Sequence, residues 1–342
     1  MQAVFFRQHG GPDVIEVGPL PEPGLGPDDV LVAVKAAALN RLDKWVRDGW
    51  PGLKLSLPHI LGSDAAGVVA EVGARVSGWA VGDRVAINAN LGCGQCPACV
   101  AGQDNLCERW QLLGETTAGL HCERVAVPAR QLVRVPDGVS FELAAAAGLV
   151  YQTAWHSLMA RGGLRAGESV LVVGAAGGVN TAAIQIAKLA GATVYVVGSD
   201  ARKLAVAAEL GADVLIDRSQ VDWGKEVFKL TGRRGVDVVV DNVGAATLMS
   251  SLRAARKGGR VLTVGNTSGP KFEFDNRYMF SRHVSLIGST MSTRAEYATV
   301  MGLVFAGRLK PVLGPVRPLA EARAAHAQLD SGEVFGKLIL TL

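Results

Sequence analysis

Missing from this chain are runs of like charge, long apolar stretches, internal repeats and any cysteine-rich framework. The 35 Lys and Arg and 31 Asp and Glu are scattered, so a formal charge of +4 leaves no footprint for nucleic acid or a membrane surface. A small-molecule partner is expected instead. No apolar run reaches the about eighteen residues that a membrane helix needs, and the opening MQAVFFRQHGGPDVIEV has no signal-peptide h-region. These absences point to a cytoplasmic location. Only five cysteines are present. Four of them, Cys93, Cys96, Cys99 and Cys107, crowd into CGQCPACVAGQDNLC, and in a reducing compartment such a cluster reads as metal ligands rather than disulfides.

What is present is a glycine-rich globular composition, with 49% hydrophobic residues, 19% charged residues and Gly 42. At 342 residues the chain exceeds one ordinary core and suits two domains of roughly 150 residues. From residue 1 to about 135, short apolar runs such as DVLVAVKAAALN and GDRVAIN alternate with Gly, Pro and Asp, the rhythm of an all-β module. A connecting helix is expected over residues 139–160, with Ser140 as its cap. Beyond it, SVLVVGAAGGVNTAAIQIAKLAGATVYVVGSD, ARKLAVAAELGA, DVLID, VDVVVDNVG and GRVLTVG alternate strand and helix. Their continuous β-branched strands predict a doubly wound parallel sheet. The tail from about 290 offers one amphipathic helix, EARAAHAQLDSG, and the strand KLILTL. That is too little for a core of its own, so it is expected to return to the first domain. The expected domains are therefore 1–150 with 290–342, and 151–289.

The turn GAAGGVN lies between a strand and a helix, the context a dinucleotide fingerprint requires. Gly174, Ala176, Gly177, Gly178 and Val179 are placed to bring backbone N–H groups and the positive helix end to a pyrophosphate. Asn180 replaces the usual third glycine, which predicts a slightly wider helix-to-strand crossing. At the end of the second strand Gly198 and Ser199 stand where an acid would accept the ribose hydroxyl of NAD, with Arg202 and Lys203 nearby. Small neutral groups beside cations favour NADP(H), while Asp200 leaves NAD open. Thr153, and Asn242, Val243, Gly265, Asn266 and Thr267 at strand ends, complete the expected cofactor site.

With GGPDVIEV, AALNRLD, LPHILGSDAAGVV, VGARVSGWAVGDRV, the cysteine quartet, GAAGGVN, DVVVDNVG and FGKLIL in order along nearly the whole chain, the sequence resembles the medium-chain dehydrogenase/reductase superfamily. The likeness is to its quinone oxidoreductase-like and zinc-type alcohol dehydrogenase-like members. The resemblance implies an α/β protein: a GroES-like, mainly β substrate domain with a structural zinc lobe, and a Rossmann domain. It also implies a homodimer built through the strand in VSLIGSTM. In zinc-dependent members four such cysteines hold a structural zinc, and four thiolates close a tetrahedral site to substrate.

The catalytic zinc of those members takes its ligands from positions that here hold Asn40, Ser63, Asp64 and Leu149. No thiolate or imidazole remains there, and zinc prefers both. His59 and Cys122 offer only remote substitutes. Without a Lewis acid, hydride reduction suits a quinone or an α,β-unsaturated carbonyl, whose own π-system spreads the arriving charge. Asn40 is the expected hydrogen-bond donor. Asp43 either orients the cofactor side or caps the helix that follows, Ser63 and Asp64 line the site, and Trp45 and Trp50 wall a flat acceptor. The expected activity is NADPH-dependent reduction of a conjugated carbonyl. A zinc-dependent alcohol dehydrogenase with an unusual metal site, or a non-catalytic NADPH-binding protein, stands as the alternative.

Overall fold

The computed structural model describes residues 1–332 and 334–342. The chain divides into two compact units, Met1–Leu149 with Ser292–Leu342, and Val150–Met291.

In the first unit the long strand Asp29–Ala38 is the hub. It pairs antiparallel with Ala65–Val72, with Arg124–Pro128 and, at its C-terminal end, with the last strand Lys337–Thr341. Ala37 lies opposite both Ala65 and Leu340, so the ends of three strands meet at one place. The C-terminal strand is held by an apolar cluster of Val4, Phe6, Leu39, Val46, Leu61, Ala322, Ala325, Leu338 and Leu340. Burial of such side chains contributes about 1.5–3 kcal/mol each, and it anchors the tail in this unit as its short length demands.

The tail holds one more helix than the sequence reading allowed. Besides Ala322–Ser331 there is Arg294–Phe305. It is opened by a reciprocal box in which the Thr293 hydroxyl accepts from Glu296 N–H while the Glu296 carboxylate accepts from Thr293 N–H. Tyr297, Val300, Met301 and Val304 form its buried stripe at helical spacing. The helix Trp223–Leu230, capped by Asp222, was likewise unread.

The second unit carries a six-stranded all-parallel sheet. Its order is Val214–Asp217, Thr193–Gly198, Ser169–Val173, Val236–Asp241, Ala255–Thr263, Ser285–Gly288. The first strand in sequence, Ser169–Val173, therefore sits at the centre, where the winding reverses direction. Ligands of such sheets bind at that reversal, beyond the strands' C-terminal ends. Leu171, Val173, Val197, Val239, Val261 and their helical neighbours form the core on the sheet's faces. The division between the units falls within the helix Phe141–Trp155, whose start is capped by Ser140, its hydroxyl accepting from Leu143 N–H at 3.1 Å.

Candidate active site and metal centre

Asn40 stands at the end of the hub strand, as the cap of the helix Arg41–Asp48. Its N–H donates to the Asp43 carboxylate at 2.6 Å, which fixes the backbone and leaves the amide side chain free to work elsewhere. The amide Nδ2 donates to Asp64 Oδ2 at 2.8 Å. Lys337, first residue of the last strand, donates from Nζ to the same Asp64 oxygen at 2.9 Å and to Asn40 Oδ1. Leu149 N–H reaches Asp64 Oδ1 at 2.6 Å. Asp64 thus receives three donors inside the protein, at 1% exposure, against 6% for Asn40 and 5% for Lys337. Gly148 makes the arrangement possible, since a Cβ there would lie 2.2 Å from Asp64 Oδ1.

Behind this knot lies a second polar layer. Asp43 is fully buried, and burial pushes its carboxyl above the usual range although His121 and the Asn40 N–H act against the shift. Burial likewise pushes the His121 imidazole down, opposed by Asp43. Among the described residues, Asp43 Oδ1, His121 Nδ1 and both ring nitrogens of His326 have no hydrogen-bond partner. The rings of His121 and His326 meet edge-on, 6.5 Å between centroids. Tyr297 is 1% exposed, its hydroxyl has no partner among the described residues, and burial together with the Asp64 charge holds its proton in place.

The four expected catalytic residues therefore have different fates. Asn40 and Asp64 bond to each other, and Asp43 braces Asn40 from the helix's first turn. Ser63 spends its hydroxyl on the Leu113 carbonyl at 2.7 Å. His59 is a buried residue bonded to the Gly114 carbonyl. Cys122 is a buried thiol, pushed up to about 12 by burial. Lys337 was missed. Its only trace in the sequence is a lysine opening an otherwise apolar strand.

The cysteine lobe lies between the short paired strands Asn90–Leu91 and Gln111–Leu112, which pin its two ends. The ligand atoms of Cys93, Cys96, Cys99 and Cys107 all lie within 4.8 Å of one another. Among the described residues this is the one such group. Backbone N–H groups already point at the sulfurs: Cys96 at Cys93, and Cys93 and Arg109 at Cys107, over 3.2–3.3 Å. Such donors stabilise thiolates, and the amides of Gln95 and Cys96 hold the Cys93 thiol down to about 5. The site fits a tetrahedral zinc with no open position. Cys107→Ser is expected to lower bound zinc from about one to well below one per chain, read by elemental analysis, with the lobe becoming protease-sensitive.

In the second unit the turn from Gly174 runs from the central strand into the helix Gly178–Leu189, capped by Gly177. Asn180 is not a loose substitute for glycine. Its Nδ2 donates to Val173 O at 3.1 Å, its Oδ1 accepts from Asn242, and Gly174 is required because a Cβ would lie 2.2 Å from that amide. Asp241, fully buried, gathers Val243 N–H, Gly244 N–H and the hydroxyls of Thr247 and Ser251. The carbonyls of Asn242 and Val243 in turn accept from Thr267 and Ser268, so the loops after two adjacent strands are clasped together. Thr153 Oγ1 is buried without a partner among the described residues. At the next strand end, Asp200 caps the helix Ala201–Glu209 by accepting from Lys203 N–H, and it also accepts from Ser199 and pairs with Lys203 Nζ at 3.3 Å. Helix-start amides, a turn of glycine and alanine only and an orphaned hydroxyl fit a dinucleotide.

The positions assigned by resemblance to a catalytic zinc do not fit one. Asn40 and Leu149 offer no soft donor, Ser63 is turned to a carbonyl, and Asp64 is already bonded to an ammonium.

Comparison with known proteins agrees with this architecture. Residues 26–137 match the alcohol dehydrogenase GroES-like domain and residues 178–306 match the zinc-binding dehydrogenase family. A solved NAD-dependent alcohol dehydrogenase is 45% identical with a TM-score of 0.96, each chain covered in full. Crotonyl-CoA reductase of Streptomyces avermitilis is 32% identical, with 94% of this chain and 81% of that protein covered. Human quinone oxidoreductase is 29% identical over 100% of this chain and 98% of its own. Fold, cysteine lobe and nucleotide turn define a nicotinamide-dependent oxidoreductase of alcohol dehydrogenase architecture. The chain belongs to the medium-chain dehydrogenase/reductase superfamily. No helix among the described residues is long and apolar enough to cross a membrane.

Proposed function

We propose that this enzyme uses NADPH to reduce a conjugated carbonyl acceptor, a quinone or an α,β-unsaturated carbonyl, without a catalytic metal. One observation carries the reading: the single carboxylate at the former metal positions is consumed by Asn40, Leu149 and Lys337. A cation entering there would meet an ammonium and displace three hydrogen bonds. When bound, the nicotinamide supplies hydride. The residues present supply hydrogen-bond donors, which suffice for an enolate or phenolate but poorly replace a Lewis acid at a simple alkoxide. Relatives named as a crotonyl-CoA reductase and a quinone oxidoreductase, both of which reduce conjugated acceptors by name, support the same class.

For the cofactor, the Asp200 carboxylate is engaged by its own helix and by Lys203, which leaves Gly198 and Ser199 beside Arg202 and Lys203 as the surroundings of a 2′-phosphate. Lys203→Ala is expected to raise KM for NADPH about tenfold, the worth of one charge-assisted hydrogen bond, with little change for NADH. Equal effects on both cofactors would count against phosphate recognition. The outer edge of Ser285–Gly288, last strand of the parallel sheet, supports a homodimer.

A second reading, NAD-dependent alcohol oxidation, is favoured by the 45% likeness to a protein of that description. A panel of quinones, enones and alcohols assayed with both cofactors by nicotinamide absorbance separates the two. Turnover of alcohols with NAD, and none of conjugated acceptors with NADPH, would replace the first reading by the second.

A further inference from the structure

We propose that Lys337 is the catalytic acid of this enzyme, a tethered ammonium that takes the part a metal ion plays in zinc-dependent relatives. The inference rests on the conjugated-carbonyl reading above.

An ammonium has three N–H donors. Those of Lys337 reach Asp64 Oδ2 and Asn40 Oδ1, which leaves one uncommitted among the described residues. Asp64 and Asp43 are sealed at 1% and 0% exposure, whereas Asn40 and Lys337 keep 6% and 5%. Within the polar knot these two side chains are the least deeply buried, and only one of them carries a transferable proton. Asn40 holds the ammonium in place through its carbonyl oxygen while its Nδ2 is fixed by Asp64, so the lysine's direction is set from two sides. Asp64 is locked by Leu149 N–H and by the missing side chain of Gly148.

The chemistry balances. Hydride brings two electrons to the β-carbon of the acceptor and forms a C–H bond. The C=C pair shifts to the neighbouring C–C bond, and the C=O pair moves onto oxygen. That oxygen takes a proton from Lys337, an N–H bond breaking as an O–H bond forms, and the neutral amine regains its proton from water. In an enone the enol then tautomerises to the ketone. In a quinone the ring carbon that received the hydride then loses a proton to water as the other carbonyl oxygen gains one, a tautomerisation with no net proton change that completes the hydroquinone.

Lys337→Ala is expected to lower kcat for a cyclic enone about 100-fold, the usual contribution of a positioned general acid, with KM for NADPH unchanged. Added methylammonium or ethylammonium should restore turnover to this variant in a saturable way while leaving the wild type unaffected. A lysine with only a structural role would show no such rescue. Because Lys337→Ala leaves Asp64 buried and unpaired, the double variant Lys337→Met, Asp64→Asn provides a second route. Lacking any unpaired charge, it is expected to fold and to retain the same deficit. Failure of amine rescue, or a folded variant within threefold of wild-type turnover, overturns the proposal. If wild-type protein reduces no quinone or enone, the functional reading falls first and the assignment to Lys337 falls with it.

Discussion

Asp64→Ala is expected to destabilise the first unit by about 3–5 kcal/mol, the cost of removing one partner from a buried ion pair. The carboxylate is 1% exposed and its removal strands the Lys337 ammonium, Asn40 Nδ2 and Leu149 N–H together. Lys337 keeps only the neutral Asn40 Oδ1 as an acceptor, and the loss of the charged partner adds to the penalty. Chemical denaturation followed by circular dichroism measures the effect. Adding Lys337→Met to Asp64→Ala should recover most of the loss, because the cost belongs to the unpaired charge and not to the missing attraction. A single variant within about 1 kcal/mol of wild type would mean that the pair is solvated and the knot is not the closed arrangement described.

Gly62→Ala is expected to be nearly as damaging. Gly62 has φ +102, a conformation side chains rarely adopt, and a Cβ built there would stand 2.2 Å from the His121 ring. Left-handed backbone costs about 1–3 kcal/mol for a non-glycine residue, and overpacking of a filled core costs about 1–3 kcal/mol more. His121 is fully buried and has no empty side to move to without disturbing Asp43 or His326. A loss of about 2–5 kcal/mol on denaturation is therefore expected, accompanied by weaker turnover because Gly62 precedes Ser63 and Asp64 in the same loop. An alanine variant with unchanged stability would show that the loop adapts and that His121 is not held as described.

These two sites mark what the sequence could and could not reveal. The cysteine lobe was legible because all four ligands fall within one short segment. So was the nucleotide turn, whose strand, glycines and helix are consecutive. The return of KLILTL to the first unit followed from length alone. Lys337 was not legible, because its partner Asp64 is 273 residues away and their meeting depends on the antiparallel register of the last strand against the hub. Asn180 looked like a defect in a glycine pattern, since its bonds to Val173 and Asn242 exist only once the strand ends are side by side. The helix Arg294–Phe305 was a different kind of miss. Its Thr293 to Glu296 box and its apolar stripe are both local features of the sequence.

The most direct test of the account compares NADPH oxidation by a cyclic enone with that by the saturated ketone of the same ring, each assayed with and without a zinc chelator. The account predicts that the enone is reduced, that the saturated ketone is not, and that the chelator leaves the enone rate unchanged over the assay. Comparable reduction of the saturated ketone, abolished by chelation, would contradict it.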